Sequence, residues 1–334
     1  MKSEIIKNKL FEQKNLTSEE TKFIFNLIMS AEISEIDTAA ILIALKIKSE
    51  TAEEIYGAAN IMKEKSLKIS ASDDTIDTCG TGGDNKGTLN ISTSSAIIAA
   101  SAGAKVAKHG NRSISSNSGS ADMLEKLGIK ITSNIKELES GLVKNNFCFL
   151  FAQYHHSSMK NVIDIRKKLK TRTIFNLLGP LTNPASAKKQ LLGVYDKKWV
   201  RIHCEVLKKF GSKKCMVVNG YDGLDEISLS SPTKVSEIKN DKIIEYDLNP
   251  EDFGYKYIKN EEIIGKDPEY NAKEFINLLE APNNSFQKIV ELNAGAALYI
   301  SGICNNLKDG FGLANKTINS HKAKKYFEKL IKNQ

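Results

Sequence analysis

The sequence lacks the long apolar runs that membrane and secretory segments require. No stretch approaches 18 consecutive apolar residues, and residues 1–4 (Met-Lys-Ser-Glu) form a polar start. A membrane-spanning helix needs about 20 apolar residues, and a signal peptide needs a shorter apolar core behind a basic start. We therefore expect no signal peptide and no membrane partner.

Cysteine is scarce and scattered. Five cysteines occur, none in a C-x-x-C pair, at positions 79, 148, 204, 215 and 304. An odd number without paired spacing argues against a disulfide framework and against structural zinc, and it is typical of a protein of the reducing cytoplasm. Cys79 abuts a glycine-rich stretch, where we interpret it as a packed, inert thiol rather than a nucleophile.

Aromatic residues are also few, at 7% of the chain, and they do not accompany the lysines in a base-stacking arrangement. The net charge of +8 invites a nucleic-acid interpretation, because clustered cations release counterions from a phosphate backbone. The lysines are instead spread along the chain and interleaved with acids, as in residues 239–245. We therefore favour a solvated surface, part of whose charge steers an anionic substrate, over a nucleic-acid partner.

The 334 residues exceed what one hydrophobic core usually serves, so two domains are expected. The first 65 residues are predicted to be helical. Thr17-x-x-Glu20 and Thr51-x-x-Glu54 are capping boxes followed by apolar stripes, and Ser34 can cap a further helix through Leu45.

From about residue 74 the pattern changes to alternating strands and helices. The predicted strands are 75–78, 105–107, 147–151, 215–219 and 242–246, and the predicted helices are 94–103, 121–127, 199–210, 271–279 and 286–300. Such alternation predicts a largely parallel sheet covered by helices. The predicted fold class is therefore α/β: a small N-terminal all-helical domain and a larger α/β domain with a mostly parallel central sheet.

A glycine-rich loop follows the first predicted strand. Four glycines lie between Gly80 and Gly87, and the hydroxyl-rich segment Asn90-Ile91-Ser92-Thr93 leads into the next helix. Glycines let a backbone approach an anion closely, and the helix start that follows presents free N–H groups and a positive dipole end. Taken alone, such a loop is as often an ordinary turn as a phosphate site.

A second strand–loop–helix unit strengthens the phosphate interpretation. It contains Lys108-His109-Gly110-Asn111-Arg112, and Ser118 or Ser120 is the predicted N-cap of the next helix. In a parallel sheet both loops emerge at the carboxyl ends of adjacent strands, where ligands of open α/β sheets bind. Two such loops predict an anion with more than one phosphate.

These motifs together resemble the anthranilate phosphoribosyltransferase family. The resemblance rests on Gly80-Thr81-Gly82-Gly83-Asp84, 90–93 and 108–111, on the continuous stretch 172–184, which begins Arg172-Thr173-Ile174-Phe175-Asn176, on Asp222-Gly223-Leu224-Asp225-Glu226, and on residues 292–299. It extends from the first helices to about residue 300.

The resemblance implies roles for particular residues. The phosphoribosyl donor is expected to be held by Gly80, Gly83, Asp84, Thr88, Asn90, Ile91, Ser92, Thr93, Lys108, Ser116 and Ser120. Anthranilate is expected to contact Gly80, Asn111 and Arg166. A guanidinium suits a carboxylate because it pairs with both oxygens in one plane, and Arg172 is the competing arginine.

An acidic pair completes the implied site. Asp225 and Glu226 follow a turn-rich stretch, and in isolation they would be a solvated acidic loop. Beside two phosphate loops they predict a Mg²⁺ site, since Mg²⁺ takes carboxylates together with substrate phosphates. The family pattern adds the Ser92 hydroxyl as a further ligand.

The implied reaction is displacement of pyrophosphate from phosphoribosyl pyrophosphate by the amine of anthranilate. No residue is assigned with certainty as a general base, because positioning and metal assistance carry the chemistry; His109 is a candidate because we place it in the second loop. The resemblance also implies a homodimer. The implied domains of the chain are a helical domain, 1–70, and an α/β domain, 71–160 with 185–334. The chain would return to the helical domain at roughly 161–184, which would form the hinge.

One segment departs from the family pattern. Gln153 stands where proline is expected, and His156-Ser157-Ser158 stands where His-Pro-Ala is expected. The departure puts the shape of the hinge segment in question rather than the phosphate chemistry. Two alternatives stay open: a pyrimidine nucleoside phosphorylase, which would not need the acidic pair, and a nucleic-acid-binding relative that has lost the transfer reaction.

Overall fold

The computed structural model describes residues 2–112 and 118–333. Four helices come first: α1 (Lys2–Phe11), α2 (Ser18–Met29), α3 (Glu35–Lys48) and α4 (Ala52–Glu64). The predicted caps are confirmed, since Thr17 and Thr51 form capping boxes and Ser34 accepts from the Asp37 amide. The N-terminal segment is therefore a helical bundle, as predicted.

One seven-stranded sheet forms the centre of the described part of the remaining chain. Its strands are β1 (Ile76–Thr78), β2 (Val106–Gly110), β3 (Phe147–Phe151), β4 (Lys189–Gly193), β5 (Lys214–Gly220), β6 (Thr233–Lys239) and β7 (Lys242–Leu248). Their spatial order is β3-β2-β1-β4-β5-β6-β7. The pairs from β3 to β5 are parallel and the last two are antiparallel, which confirms the mostly parallel sheet.

Helices surround this sheet. They are α5 (Ile91–Ala102), α6 (Ser120–Lys126), α7 (Ile135–Asn145), α8 (Ala152–His155), α9 (Lys160–Leu169), α10 (Phe175–Leu178), α11 (Lys198–Lys209), α12 (Pro268–Glu280), α13 (Ser285–Ser301), α14 (Leu307–Asn319) and α15 (Lys322–Lys332). Short 3-10 turns lie at Ser157–Met159, Gly179–Thr182, Pro250–Phe253 and Asn260–Ile263. Within the described residues, no helix is long and apolar enough to cross a bilayer.

The two faces of the sheet pack into different cores. On β5, Met216 and Val218 belong to a core with α5 and α13, whereas Cys215 and Val217 belong to a core with α11. This alternation follows from the two-residue period of a strand. The α11 core is continuous with that of the N-terminal helices, so the helical bundle is packed onto one face of the sheet.

The chain returns to the helical bundle after β3. Helix α9 contacts α2 and α3, and the Asn161 side chain donates to the Met29 carbonyl over 2.8 Å. The exact domain boundaries and the hinge role of 161–184 stay predictions.

Three local expectations were wrong. Strand β2 extends through Gly110, so Lys108 and His109 lie in the strand rather than in the loop after it. Helix α5 begins at Ile91, which places Ser92 and Thr93 in its first turn. The N-cap of α6 is Gly119, and neither Ser118 nor Ser120 has that role. Strands β4 and β6 were not predicted at all.

Candidate active site

The two predicted phosphate loops follow β1 and β2 and emerge at the edge of the sheet where the strand order reverses. β1 lies between β2 and β4, and all three are parallel, so their carboxyl ends share one edge. The chain proceeds from β1 to β2 on one side and reaches β4 on the other, which makes this edge a topological switch point. Ligands of open α/β sheets bind at such points.

The glycine-rich loop needs its glycines. Gly82, Gly83 and Gly87 have φ angles of +64°, +76° and +62°, a left-handed backbone that residues with a Cβ adopt at a cost. The end of β4 anchors the loop. The Thr81 amide donates to the Gly193 carbonyl over 2.9 Å, and the Tyr195 amide donates to Thr81 Oγ1 over 3.0 Å.

The start of α5 faces the same edge. Asn90 occupies the N-cap position but makes no capping bond; its side chain instead accepts from Ser118 Oγ at 3.1 Å and from Asn271 Nδ2 at 2.8 Å. Ile91 is buried and fixes the first turn against the core. The positive dipole end of α5 and the hydroxyls of its first turn therefore face the place where an anion would bind.

The acidic pair forms hydrogen bonds to both parts of the phosphate cradle, which consists of the glycine-rich loop 80–87 and the first turn of α5. Asp225 Oδ2 accepts from the Gly82 amide at 2.7 Å, and Glu226 Oε1 accepts from the Ser92 amide at 3.1 Å. Gly80 leaves the room for this approach, because a Cβ there would lie 2.7 Å from Asp225 Oδ2. Each of these two bonds joins predicted motifs that lie more than 130 residues apart in sequence.

The carboxylates repel one another. Burial, followed by the charge of Asp84, raises the pKa of Asp225 to about 7. Burial, followed by the charge of Asp225, raises the pKa of Glu226 to about 8. Asp84 Oδ2 is buried without a hydrogen-bond partner among the described residues. The mutually repelling carboxylates of Asp225 and Glu226, with that of Asp84 beside them, have the chemistry of a site for a hard cation.

Lys108 lies beneath the cradle. Its side chain is only 1% exposed, and its ammonium donates to the Thr78 carbonyl at 2.6 Å and to Ser92 Oγ at 3.4 Å. The Lys108 charge lowers the pKa of Glu226 and so partly offsets the effect of burial. Thr93 is also fully buried, and its hydroxyl has no partner among the described residues.

His109 has a different place from the one predicted. It is 3% exposed, its amide donates to Asp77 Oδ1 at 3.1 Å, and its ring lies 5.3 Å from the ring of His156. Burial, together with the charges of His156 and His155, holds the pKa of His109 well below its usual range. A neutral, enclosed imidazole of this kind is suited to packing rather than to carrying protons through solvent.

The two candidate arginines are in different environments. The Arg172 guanidinium donates to the Gly83 carbonyl and lies 4.2 Å from the centre of the Tyr195 ring. The Arg166 guanidinium packs 5.7 Å from the centre of the Phe175 ring, and burial lowers its pKa. The structure therefore brings Arg172, and not Arg166, into contact with the glycine loop.

Three other predicted residues, Thr88, Asn111 and Ser120, lie in the segments that follow β1 and β2. Thr88 forms a bridge with Ile264, and Ser120 opens α6. Asn111 Oδ1 accepts from Gln153 Nε2 at 3.4 Å, which links it to the atypical segment. Ser116 lies outside the described residues.

Sequence reasoning missed two supporting residues. Asn293 of α13 accepts from the Ile227 amide at 2.9 Å and donates to the Ile227 carbonyl at 2.9 Å, which fixes the backbone directly after Glu226. Asp77 holds β2 through the His109 amide. Asn293 lies in the recognised stretch 292–299 and Asp77 in the predicted strand 75–78, yet neither the partner nor the role of either was predicted.

Comparison with known proteins agrees with this geometry. Residues 4–66 match the model of the glycosyl transferase family helical bundle domain, and residues 72–324 match that of the glycosyl transferase family a/b domain. The anthranilate phosphoribosyltransferase of Thermoanaerobacter sp. (strain X514) is 49% identical over 96% of this chain and 95% of its own length. The chain belongs to the anthranilate phosphoribosyltransferase family.

Solved structures of family members have the same fold. The enzyme from Thermus thermophilus matches with a TM-score of 0.92 at 36% identity, covering 98% of both chains. The Saccharomyces cerevisiae enzyme in complex with PRPP and Mg matches with a TM-score of 0.88 at 28% identity, covering 99% of this chain and 98% of its own. The predicted family and fold class are thus confirmed.

Proposed function

We propose that this protein transfers the 5-phosphoribosyl group of phosphoribosyl pyrophosphate to the amine of anthranilate, with release of pyrophosphate, as in tryptophan biosynthesis. One observation carries the assignment to this site. Asp225 and Glu226 are hydrogen-bonded to backbone amides of both phosphate-cradle elements, the glycine loop and the first turn of α5. A nucleoside phosphorylase, which uses inorganic phosphate, has no need of that pair.

The donor is held by the cradle. Gly80, Gly82 and Gly83 supply close backbone approach, and the first turn of α5 supplies its positive dipole end and the hydroxyls of Ser92 and Thr93. Lys108 contributes a fixed positive charge beneath them. Asp84, Thr88, Asn90, Ile91, Ser116 and Ser120 complete the proposed donor contacts.

Mg²⁺ fits the acidic residues. Asp84 Oδ2 has no partner among the described residues, and the pKa values of Asp225 and Glu226 are raised by burial and by neighbouring negative charge. Asp225, Glu226 and the Ser92 hydroxyl would hold the ion. When bound, the ion would stabilise negative charge on the pyrophosphate leaving group. The bound ion would offset the repulsion between the Asp225 and Glu226 carboxylates and so favour their deprotonated forms.

Anthranilate is proposed to bind beside Gly80 and Asn111, with Arg166 as the partner of its carboxylate. Arg166 has no hydrogen bond to the glycine loop in the described part of the chain, so its guanidinium is not committed there, whereas Arg172 donates to Gly83. This difference favours Arg166 for the substrate and Arg172 for support of the loop.

The chain's own contribution to the reaction is positioning and electrostatic stabilisation. The ribosyl carbon becomes oxocarbenium-like as the bond to pyrophosphate breaks. Loop amides and Lys108 face the phosphates on which negative charge accumulates. An aniline-type amine is a weak base whose proton leaves readily after attack, so a strong general base is not required. The buried, neutral His109 is consistent with that expectation.

We further propose that 161–184 acts as the hinge between domains 1–70 and 71–160 with 185–334, that the protein is a homodimer, and that it is cytoplasmic. The burial of all five cysteines as free thiols supports a reducing compartment. The contacts of α9 with α2 and α3 support the return of the chain to the helical domain.

Titration calorimetry tests the site. Phosphoribosyl pyrophosphate should bind the wild type tightly only with Mg²⁺, and Glu226→Gln should lose most of that metal-dependent gain. Glu328→Gln, on the surface of α15, is the matched control and should bind as the wild type does. Equal metal dependence in wild type and Glu226→Gln would show that the metal site is misplaced.

A further inference from the structure

Three side chains that can bind metals lie together on one face of the sheet. Asp77 belongs to β1, Cys79 follows directly after this strand, and His109 lies in β2. One ligand atom of each residue lies within 4.8 Å of those of the other two. All three are buried, since Asp77 is 0%, His109 3% and Cys79 8% exposed. We call these three residues the Asp77 cluster.

The Asp77 cluster lies on the opposite face of the sheet from the Lys108 side chain. β1 and β2 are parallel, with Ile76 opposite Val106, and both of these residues pack into the core that contains α5. Side chains alternate between the two faces of a strand, so Asp77 and His109 point away from α5, whereas Lys108 points towards it. The cluster therefore lies on a different face from the first turn of α5, which belongs to the phosphate cradle.

Two imidazoles at this place have ring nitrogens without partners. Burial lowers the pKa of His109, and the Gly179 carbonyl is close enough to act in the opposite direction. Neither ring nitrogen of His109, however, has a hydrogen-bond partner of good geometry among the described residues. The His156 ring lies 5.3 Å from the His109 ring, and His156 Nε2 is likewise buried without a partner in the described part of the chain. Buried polar atoms are nearly always hydrogen-bonded, and a bound ion is one of the few explanations for those that are not.

The ligand set suits Zn²⁺ and not Mg²⁺. Zn²⁺ is bound by thiolate, imidazole and carboxylate groups, whereas Mg²⁺ takes oxygen ligands in an octahedral arrangement. The Asp77 carboxylate and the Cys79 thiolate together carry two negative charges, which would make their complex with Zn²⁺ neutral. A buried site tolerates a neutral complex better than an unbalanced charge. The neutral imidazole that burial favours at His109 is also the form that binds metals.

The cluster is nearly closed enough to hold such an ion. Zinc bonds of about 2.0–2.3 Å in a tetrahedron place the ligand atoms roughly 3.5 Å from one another. Side-chain movements of about 1 Å would therefore bring the three ligand atoms, now within 4.8 Å of one another, to that separation. Cys79 provides the entry, because it is the most exposed of the three residues and borders the glycine-rich loop.

We propose that the Asp77 cluster binds Zn²⁺, or a similar thiophilic divalent cation, through its three side chains. His156 supplies the fourth ligand. Binding replaces the contact of the Cys79 thiol with the Gly80 carbonyl, which is 3.5 Å long, by a metal–sulfur bond, and the thiol proton passes to solvent. The ion joins the ends of β1 and β2 and so stabilises the folded protein. The site does not depend on the proposed transferase reaction.

Cobalt spectroscopy of the whole, untagged protein tests the proposal. Co²⁺ can take the place of Zn²⁺, and a bond between cobalt and a thiolate gives a charge-transfer band in the near ultraviolet. Wild type, Cys79→Ser and Cys304→Ser are titrated with Co²⁺ in an excess of Mg²⁺, which occupies the proposed acidic site. Cys304 is also 8% exposed and does not belong to the cluster, so its variant is the matched control. The band should appear in the wild type and the control, and Cys79→Ser should lack it.

The identity of the metal follows from competition. Zn²⁺ should remove the band by displacing Co²⁺, and further Mg²⁺ should leave it unchanged. Absence of the band in folded wild-type protein, or its persistence in Cys79→Ser, would overturn the proposal. If Cys79→Ser does not fold, Cys79→Ala takes its place.

A second variant and a crystal experiment locate the ion. His109→Gln should bind Co²⁺ about tenfold more weakly or worse, because even changes outside the ligand shell commonly weaken metal binding by that factor. Unchanged affinity in His109→Gln would contradict the ligand set. Anomalous diffraction at the zinc edge from zinc-soaked wild-type crystals should show a peak between Asp77, Cys79 and His109. A peak only beside Asp225 and Glu226 would overturn the proposal.

Discussion

Glu226 is a residue whose charge the metal-free protein accommodates poorly. Its folded-state pKa of about 8 lies above the ordinary glutamate value of about 4.3, so the folded state binds this proton more tightly than the unfolded state does. The resulting stabilisation is present at low pH and is lost as pH rises between those two values.

Glu226→Gln should remove this pH dependence. Without Mg²⁺, we expect the melting temperature of the variant relative to the wild type to rise steadily from pH 5 to pH 8, because only the wild type gains the buried charge. Differential scanning fluorimetry in metal-free buffers measures this difference in melting temperature. A difference that stays constant over this range would contradict the account.

The two arginines should differ in their kinetic effects. Arg166→Ala should raise KM for anthranilate more than KM for the donor, because it removes the proposed carboxylate partner. Arg172→Ala should raise KM for the donor by roughly tenfold, since a hydrogen bond from a charged group is worth about 1.5 kcal/mol or more. Initial rates with each substrate varied measure both, and equal effects of Arg166→Ala on the two constants would identify a structural hinge arginine instead.

The sequence predicts which residue types occur at this site better than it predicts their hydrogen-bond partners. Asp225 and Glu226 were predicted as a metal pair because adjacent carboxylates follow a turn near phosphate motifs. The bond between Arg172 and the Gly83 carbonyl joins positions 89 residues apart and follows from no local pattern. The sequence likewise did not predict the burial of Lys108, because a lysine followed by histidine, glycine and asparagine is typical of a loop.

At the scale of elements, the end of β4 has to lie directly against the loop that contains Asp225 and Glu226, which we call the acidic loop. A Cβ on Gly193 would overlap the Asp225 carbonyl oxygen, which is backbone and cannot rotate away. Gly193→Ala should therefore displace this loop and remove most activity and much stability. Gly179→Ala, where a Cβ would meet nothing within 4 Å, is the matched control.

Activity assays and thermal unfolding of both glycine variants measure this prediction. The Gly179 variant should stay within a few degrees of the wild type. A fully active and stable Gly193→Ala protein would contradict the packing described between β4 and the acidic loop.

Elements with strong local signals were predicted from the sequence, and those defined by pairing were not. Capping boxes located α2 and α4, and the apolar run at β3 was predicted with the bounds that the structure has. β4 contains only two consecutive apolar residues, Leu191 and Leu192, and its identity comes from hydrogen bonds to β1 and β5. β6 has only two apolar residues, Val235 and Ile238, which lie three positions apart, and it is antiparallel, which the expectation of parallel units did not anticipate.

For the whole molecule, the helical bundle and one face of the sheet share a continuous apolar core. Ile55 and Ala58 of α4 belong to the same cluster as Trp199 and Val200 of α11. Two domains were predicted from chain length and pattern, but this continuity was not, because it depends on which faces meet after folding.

A shared core predicts joint unfolding. We expect one calorimetric transition rather than separate transitions for 1–70 and the remainder, because exposing the α4–α11 contact leaves apolar surface on both parts. Differential scanning calorimetry measures it at neutral pH. Two well-separated transitions would contradict the shared core.

The transfer reaction itself can be followed through the fluorescence of anthranilate. The protein is mixed with anthranilate, phosphoribosyl pyrophosphate and Mg²⁺, and the fluorescence of anthranilate is followed over time. We expect a loss of signal that requires both the donor and the metal and that Glu226→Gln largely abolishes. An unchanged signal with folded wild-type protein would contradict it.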